Sequence, residues 1–210
     1  MPRQFGIPEP LIHDVQSKAV PVSKYSDYMK SIQDKHIIGI NNAYRLGPWL
    51  DVLFFGDCSW YLLHRKEIAN WPGLKVSCCP RFSNERQTLE HIKFLQKDQH
   101  KKLGISTNRS TVVWNFNSGA ASISLAIHFG VKKIYLLGFD MSEMGSQVHW
   151  HGPHRDRVKN THAKPPFNRH LRGFPTIAKD AKSLGVEIYN VSPNSAIEEF
   201  PKITLEEALR

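Results

Sequence analysis

Residues 117–142, NSGAASISLAIHFGVKKIYLLGFDMS, constrain the fold more than any other stretch. Asn117-Ser118-Gly119 is a polar turn, Ala121, Ile123, Ser124, Ile127 and His128 follow at helical spacing, and Gly130 is a helix stop. Residues 134–138 then form a short apolar run that ends at Phe139-Asp140. Turn, helix, turn, buried strand and polar exit, in that order, belong to an open α/β sheet, and ligands of such sheets bind where the strands end.

The same grammar recurs along the chain. Residues 36–40 read as a buried strand running into Asn41-Asn42, and residues 51–56 as another running into Asp57-Cys58-Ser59. Further strands are expected over 74–79, 111–114 and 186–191, the last ending in Ser192-Pro193-Asn194-Ser195. Helices are expected over 26–33, 60–70 and 175–184, with a short one at the C-terminus. Residues 88–100 also read as a helix, with Leu89, Ile92, Phe94 and Leu95 on one side, and Gln96 to Lys102 (QKDQHKK) reads as solvated surface. Strands alternating with helices predict an α/β fold: a Rossmann-like, mostly parallel sheet with helices on both faces. Residues 1–35, broken by Pro2, Pro8, Pro10 and Pro21, form an irregular lead-in, and residues 36–210 the Rossmann-like domain. Within it, residues 141–173 are polar and lack periodicity, as expected of a lid over the strand ends.

Composition narrows the partners. The 28 Lys+Arg against 19 Asp+Glu give a net charge of +9, which favours an anionic ligand: a nucleotide, a phosphorylated sugar or a nucleic acid met through the basic surface. The opening MPRQFGIPEPLIHD has no long apolar run. It predicts neither a signal peptide nor a membrane span, hence a cytoplasmic protein. Three cysteines, Cys58, Cys78 and Cys79, are an odd number with two adjacent, so reduced thiols are expected rather than a disulfide framework.

Several polar clusters carry chemistry. Unpaired N–H groups and the helix dipole at Asn117-Ser118-Gly119 attract a phosphate or carboxylate, with Gly119 permitting close backbone approach. No G-x-G-x-x-G or G-x-x-x-x-G-K-[ST] motif is present, which disfavours ordinary NAD and P-loop chemistry, and no G-x-S-x-G elbow supports a Ser hydrolase. The run His149-Trp150-His151-Gly152-Pro153-His154 lacks the Cys pair or H-E-x-x-H frame of a zinc site. Its histidines fit substrate contact or general-base work better, as does His170.

These residues resemble a family. Asn117-Ser118-Gly119, the Ala-rich helix, Gly130, the run Lys133-Ile134-Tyr135-Leu136-Leu137-Gly138 and Asp140 are similar to the Thr-Ser-Gly, helix and "lG-x-k-x-I-y-L-x-G-x-D" of the bacterial sialyltransferases that build lipooligosaccharide. Ser192-Pro193-Asn194-Ser195 resembles that family's Cys-Pro-Asn-Ser. Ile40-Asn41-Asn42 and Phe55-Gly56-Asp57-Cys58-Ser59 resemble its "C-N-Q" and "Y-N-P-S" more faintly. The scaffold also looks like 6-hydroxymethylpterin diphosphokinase-like proteins. Residues 41–53 and 117–152 are similar to patterns in uncharacterised phage and prophage proteins, which for a phage-encoded chain implies the host cytoplasm.

The resemblance implies a transferase with a nucleotide-activated donor, foremost a glycosyltransferase, needing no cofactor. It assigns nucleotide contacts to Asn41, Asp57, Ser118 and Gly119 and lines the crevice with Pro193, Asn194 and Ser195; Asn42, Ser59, Asn117, Asp140 and Ser142, at the same strand exits, complete the expected nucleotide site. His170, with His154 and His151 as rivals, stands for the general base, and Arg155 and Arg172 of the lid offset phosphate charge. The family's Gly-Asn-Gly-Pro-Ser loop has no counterpart in residues 1–35. A second expectation is a pyrophosphokinase-like enzyme using Mg²⁺ on Asp57 and Asp140. A third is a non-catalytic phage-associated protein that binds nucleotide or nucleic acid.

Overall fold

The structure is a computed structural model and describes residues 29–83, 91–142 and 166–210. Strands β1 (Ile38–Ile40), β2 (Val52–Phe55), β3 (Leu74–Ser77) and β4 (Ile92–Phe94) form a four-stranded sheet in sequence order, every pair parallel. Two further parallel pairs are β5 (Gln96–Lys97) with β6 (Thr111–Val112), and β7 (Lys133–Leu136) with β8 (Glu187–Asn190). The main helices are α1 (Cys58–Ile68), α2 (Ser118–His128), α3 (Phe167–Leu171) and α4 (Phe174–Ser183), with α5 (Leu205–Ala208) near the end. The fold is mixed α/β with a mostly parallel sheet, as the alternation of elements predicted.

Alternation within β2 explains how the sheet is buried on both faces. Leu53 and Phe55 point into a cluster with Trp60, Tyr61 and Ile68 of α1, plus Leu46, Leu50, Trp71 and Phe82. Val52 and Phe54 point the other way, against Val76, Cys78, Val112 and α2 residues Ala121 and Leu125. All four β2 residues are therefore buried, which a strand covered on both faces requires. Helix α2 also sends Ala120 and Ile123 into a third cluster with Phe139, Phe174, Ile177 and Ile188. Lys75 is buried on β3, yet its ammonium donates to the carbonyls of Ile68, Ala69 and Trp71, closing the C-terminal end of α1.

Residues 88–100 depart from the expected helix. Residues 84–90 lie outside the described part, and from Ile92 onward the chain is strand. Ile92 and Phe94 face the α1 cluster while Leu95 faces the α2 side, so the apolar residues alternate. They satisfy a strand period as well as a helical one, and the open edge of β3 decides the matter. The chain then changes partner at one residue: Leu95 N–H donates to Ser77 O (2.9 Å), and Gln96 N–H to Ser110 O (2.9 Å).

Of the expected lid, residues 143–165 lie outside the described part. Its last residues are helical in α3, a correction to a stretch read as structureless. No helix among the described residues is long and apolar enough to cross a membrane.

Candidate functional site

The strand exits carry the sequence-predicted residues, and each exit can be examined for what already occupies its polar groups. After β1, Asn41 adopts a left-handed backbone (φ 50°), and its carboxamide oxygen is buried without a hydrogen-bond partner. The next residue, Asn42, accepts a hydrogen bond from Trp60 Nε1–H at 2.6 Å. Asn42 therefore anchors the α1 aromatic cluster. After β2, Asp57 caps α1, its Oδ1 accepting from Ser59 N–H and Ser59 Oγ–H, both at 2.9 Å. The front exits are largely spent on holding the fold.

The exit of β6 is built differently. Asn115 (φ 49°) and Phe116 (φ 62°) are consecutive left-handed residues, an expensive turn that tertiary contacts must impose. Asn115 is completely buried, donates to Gly104 O (2.8 Å) and Val113 O (3.1 Å), and accepts from Gly104 N–H (2.7 Å). Asn117 then caps α2, its Oδ1 accepting from Ala120 N–H at 2.7 Å, while its amide donates to His170 O at 3.1 Å. Arg172, two residues on, lies over the Phe116 ring at 5.5 Å. Asn117, His170 and Arg172 are thus brought together; His151, His154 and Arg155 lie outside the described residues.

Ser118 opens α2 and is 7% exposed, with no partner for its hydroxyl among the described residues. No acidic residue occupies the first turn of α2, so its N–H groups face no built-in anion. Gly119 also meets a packing requirement. A Cβ there would lie 2.9 Å from the Phe139 ring and 3.2 Å from Asn117 Oδ1, so the missing side chain makes room for Phe139.

The β7 exit is braced by the turn after β8. Ser192 Oγ accepts from the N–H groups of Gly138 (2.9 Å) and Phe139 (3.2 Å), and Ser195 Oγ donates to Phe139 O at 2.5 Å. Ala196 N–H donates to Asp140 O (2.8 Å), and Met141 is left-handed (φ 50°). Pro193 and Asn194 are exposed at the tip of the brace, whereas Ser195 is buried; Ser142 follows Met141 at the edge of the described residues. Ser192, which the sequence places beside Ser195, proves to be the principal clasp.

Two features were not legible in the sequence. Cys58 and Cys79 are disulfide-bonded, with Cα atoms 5.4 Å apart, which overturns the expectation of reduced thiols. They follow the adjacent strands β2 and β3, and successive extended residues face opposite ways, so Cys79 reaches the α1 face while Cys78 points to the other. Cys78 stays a free thiol that burial pushes up to about 11. The second feature is a polar knot on α1: Tyr44 OH donates to Glu67, and Arg45 Nε–H donates to Tyr44 OH at 3.1 Å. With the Tyr44 proton committed, His64 Nδ1, 3.0 Å away, must donate to the same oxygen. Burial, and then the Glu67 carboxylate, push the Tyr44 phenol up to about 12. The i, i+3 spacing of His64 and Glu67 hints at a pair, but nothing in the sequence points to Tyr44.

Among the described residues no group of three or more His, Cys, Asp or Glu side chains gathers around a point where a metal would sit. A cavity of about 360 Å³ lies away from the expected residues, at the exits of β3 and β4. No family model, no curated protein and no solved structure matches the chain.

Proposed function

We propose that this chain transfers a group, foremost a glycosyl unit, from a nucleotide-activated donor held across the exits of β1, β6 and β7. One observation carries the reading. Caps, turns and clasps account for Asn42, Asp57, Asn115, Asn117 and Ser195, whereas the Asn41 carboxamide oxygen and the Ser118 hydroxyl have no partner among the described residues. Helix α2 packs on β1 and β2, so its amino end and the Asn41 turn belong to one neighbourhood. Donors at a helix N-terminus suit a phosphate, and an amide acceptor suits the amine or hydroxyl edge of a nucleoside.

In the proposed reaction the acceptor hydroxyl gives its proton to His170 and its oxygen bonds to the donor carbon. The bond from that carbon to the nucleotide phosphate breaks, and the nucleotide leaves as an anion beside Arg172. His170 is tied to the site through its backbone bond from Asn117, which sets the position of α3 rather than of the imidazole. Titration calorimetry with CMP-, UDP- and GDP-sugars and free nucleotides tests the proposal. At least one should bind, and Ser118→Ala should weaken it about tenfold, the loss of one hydrogen bond to a charged group. Absence of binding across the panel would sink the reading.

A further inference from the structure

The stretch that reads in the sequence as solvated surface, residues 96–102, contributes three side chains to the cavity at the β3 and β4 exits. Gln96, Lys97 and Gln99 form one wall; Cys78, Phe94 and Ser83 stand among the others. The volume of about 360 Å³ falls at the lower end of the range of small-molecule sites. Position also fits, because the cavity opens at the carboxyl ends of parallel strands.

Its electrostatics are unbalanced. Lys97 has no ion-pair partner among the described residues, and its ammonium rests 4.1 Å from the centre of the Trp114 ring. The neighbouring Asp98 carboxylate is turned away, accepting from the N–H groups of His100 and Lys101 at 2.9 Å each. Gln96 makes no side-chain hydrogen bond among the described residues. The rest of the lining is Phe94, Pro80, Ser83, whose hydroxyl proton is committed to Pro80 O, and a thiol that burial keeps neutral, so apart from Ser83 it offers apolar contact. The walls are also fixed: the Cys58–Cys79 bond pins the chain next to Cys78, and Ser83 Oγ–H closes a turn on Pro80 O at 2.7 Å.

We infer that this cavity is a second binding site, for a small organic carboxylate with a planar apolar body. The carboxylate would meet Lys97 and the glutamine amides, and the body would lie against Phe94 and Pro80. One lysine is a point charge suited to a monoanion; a phosphate dianion calls for an Arg fork or a nest of N–H groups, and the described walls contain neither. The inference uses none of the residues assigned to the nucleotide, so a negative nucleotide titration leaves it standing.

Benzoate and its neutral isostere benzamide are suitable probes, titrated into the full oxidised chain by calorimetry with ligand-observed NMR. Benzoate should bind at least tenfold more tightly than benzamide. Lys97→Met keeps the alkyl stem over Trp114 and should erase that preference, while Lys97→Arg should retain it and Lys102→Met should leave it unchanged. Unaltered melting of the variants separates loss of the site from loss of the fold. Equal binding of the two probes, a preference that survives Lys97→Met, or displacement of benzoate by equimolar inorganic phosphate would each overturn the assignment.

Discussion

The two halves of this molecule present the same kind of strand exit and secure it by opposite means. The front half, β1 to β4 with α1, is locked by a disulfide between the β2 and β3 exits and by an aromatic cluster. In that cluster Phe55 touches Trp60, Tyr61 and Phe82 at ring separations of 5.0 to 5.9 Å. The back half, β6 to β8 with α2 and α4, has no covalent tie and is fastened by side chains on backbone: Asn115 on Gly104, Asn117 on Ala120 and His170, Ser192 on Gly138 and Phe139. In the front exits a helix cap occupies Asp57 and the Trp60 anchor occupies Asn42, which leaves the Asn41 carboxamide oxygen unpartnered. In the back, polar fastening leaves the Ser118 hydroxyl without a partner among the described residues, and these two groups are where a ligand has something to gain.

The contrast breaks most visibly under reduction. The disulfide closes a loop with a sequence separation of 21, for which chain entropy gives about 3 kcal/mol. Dithiothreitol, or the Cys58→Ser/Cys79→Ser pair, should lower Tm by roughly 6–12 °C for a chain of this size. A thermal scan with and without reductant checks this; the double variant should no longer respond to reductant.

A smaller loss is expected from the back half. Asn115→Ala removes both partners of Gly104 in the interior and places alanine at a left-handed position, costing about 2 kcal/mol. Urea unfolding should give that difference in oxidised and reduced protein alike. A cost that vanished on reduction would mean the halves do not hold independently.

The smallest effect is a pH slope. His128 Nε2–H donates to Ser106 O at 2.9 Å, while Nδ1 is buried without a partner. Burial, with the Arg109 charge adding to it, depresses the imidazole pKa below its ordinary 6.5. The unfolded chain therefore binds more protons in the window just below 6.5, so stability is complete above that pH and declines as pH falls through the window. Tm should drop on acidification from pH 7, and His128→Gln should flatten the slope.

How much of this was legible before folding follows from how local each cause is. The exits of β1, β2 and β7 are readable because short apolar runs end abruptly in Asn, Asp or Gly, and α2 because Asn117 caps it and Gly130 follows it. Residues 92–97 were not, because their apolar spacing serves two periods and the vacant β3 edge is a tertiary fact. The packing need at Gly119 is non-local for the same reason: what lies against its Cβ position is Phe139, twenty residues on. The Cys58–Cys79 bond depends on β2 and β3 being neighbours, which cysteine parity does not encode.

Hydrogen exchange with a saturating nucleotide-sugar, read by mass spectrometry at both helix starts, tests the central claim most directly. The account predicts protection of the amides of Ser118 and Gly119, which open α2 ahead of those bonded to Asn117, with no change at 58–61, opening α1, where the Asp57 carboxylate caps the helix. Protection confined to the α1 start, or equal at both, would contradict the division of labour between the two halves.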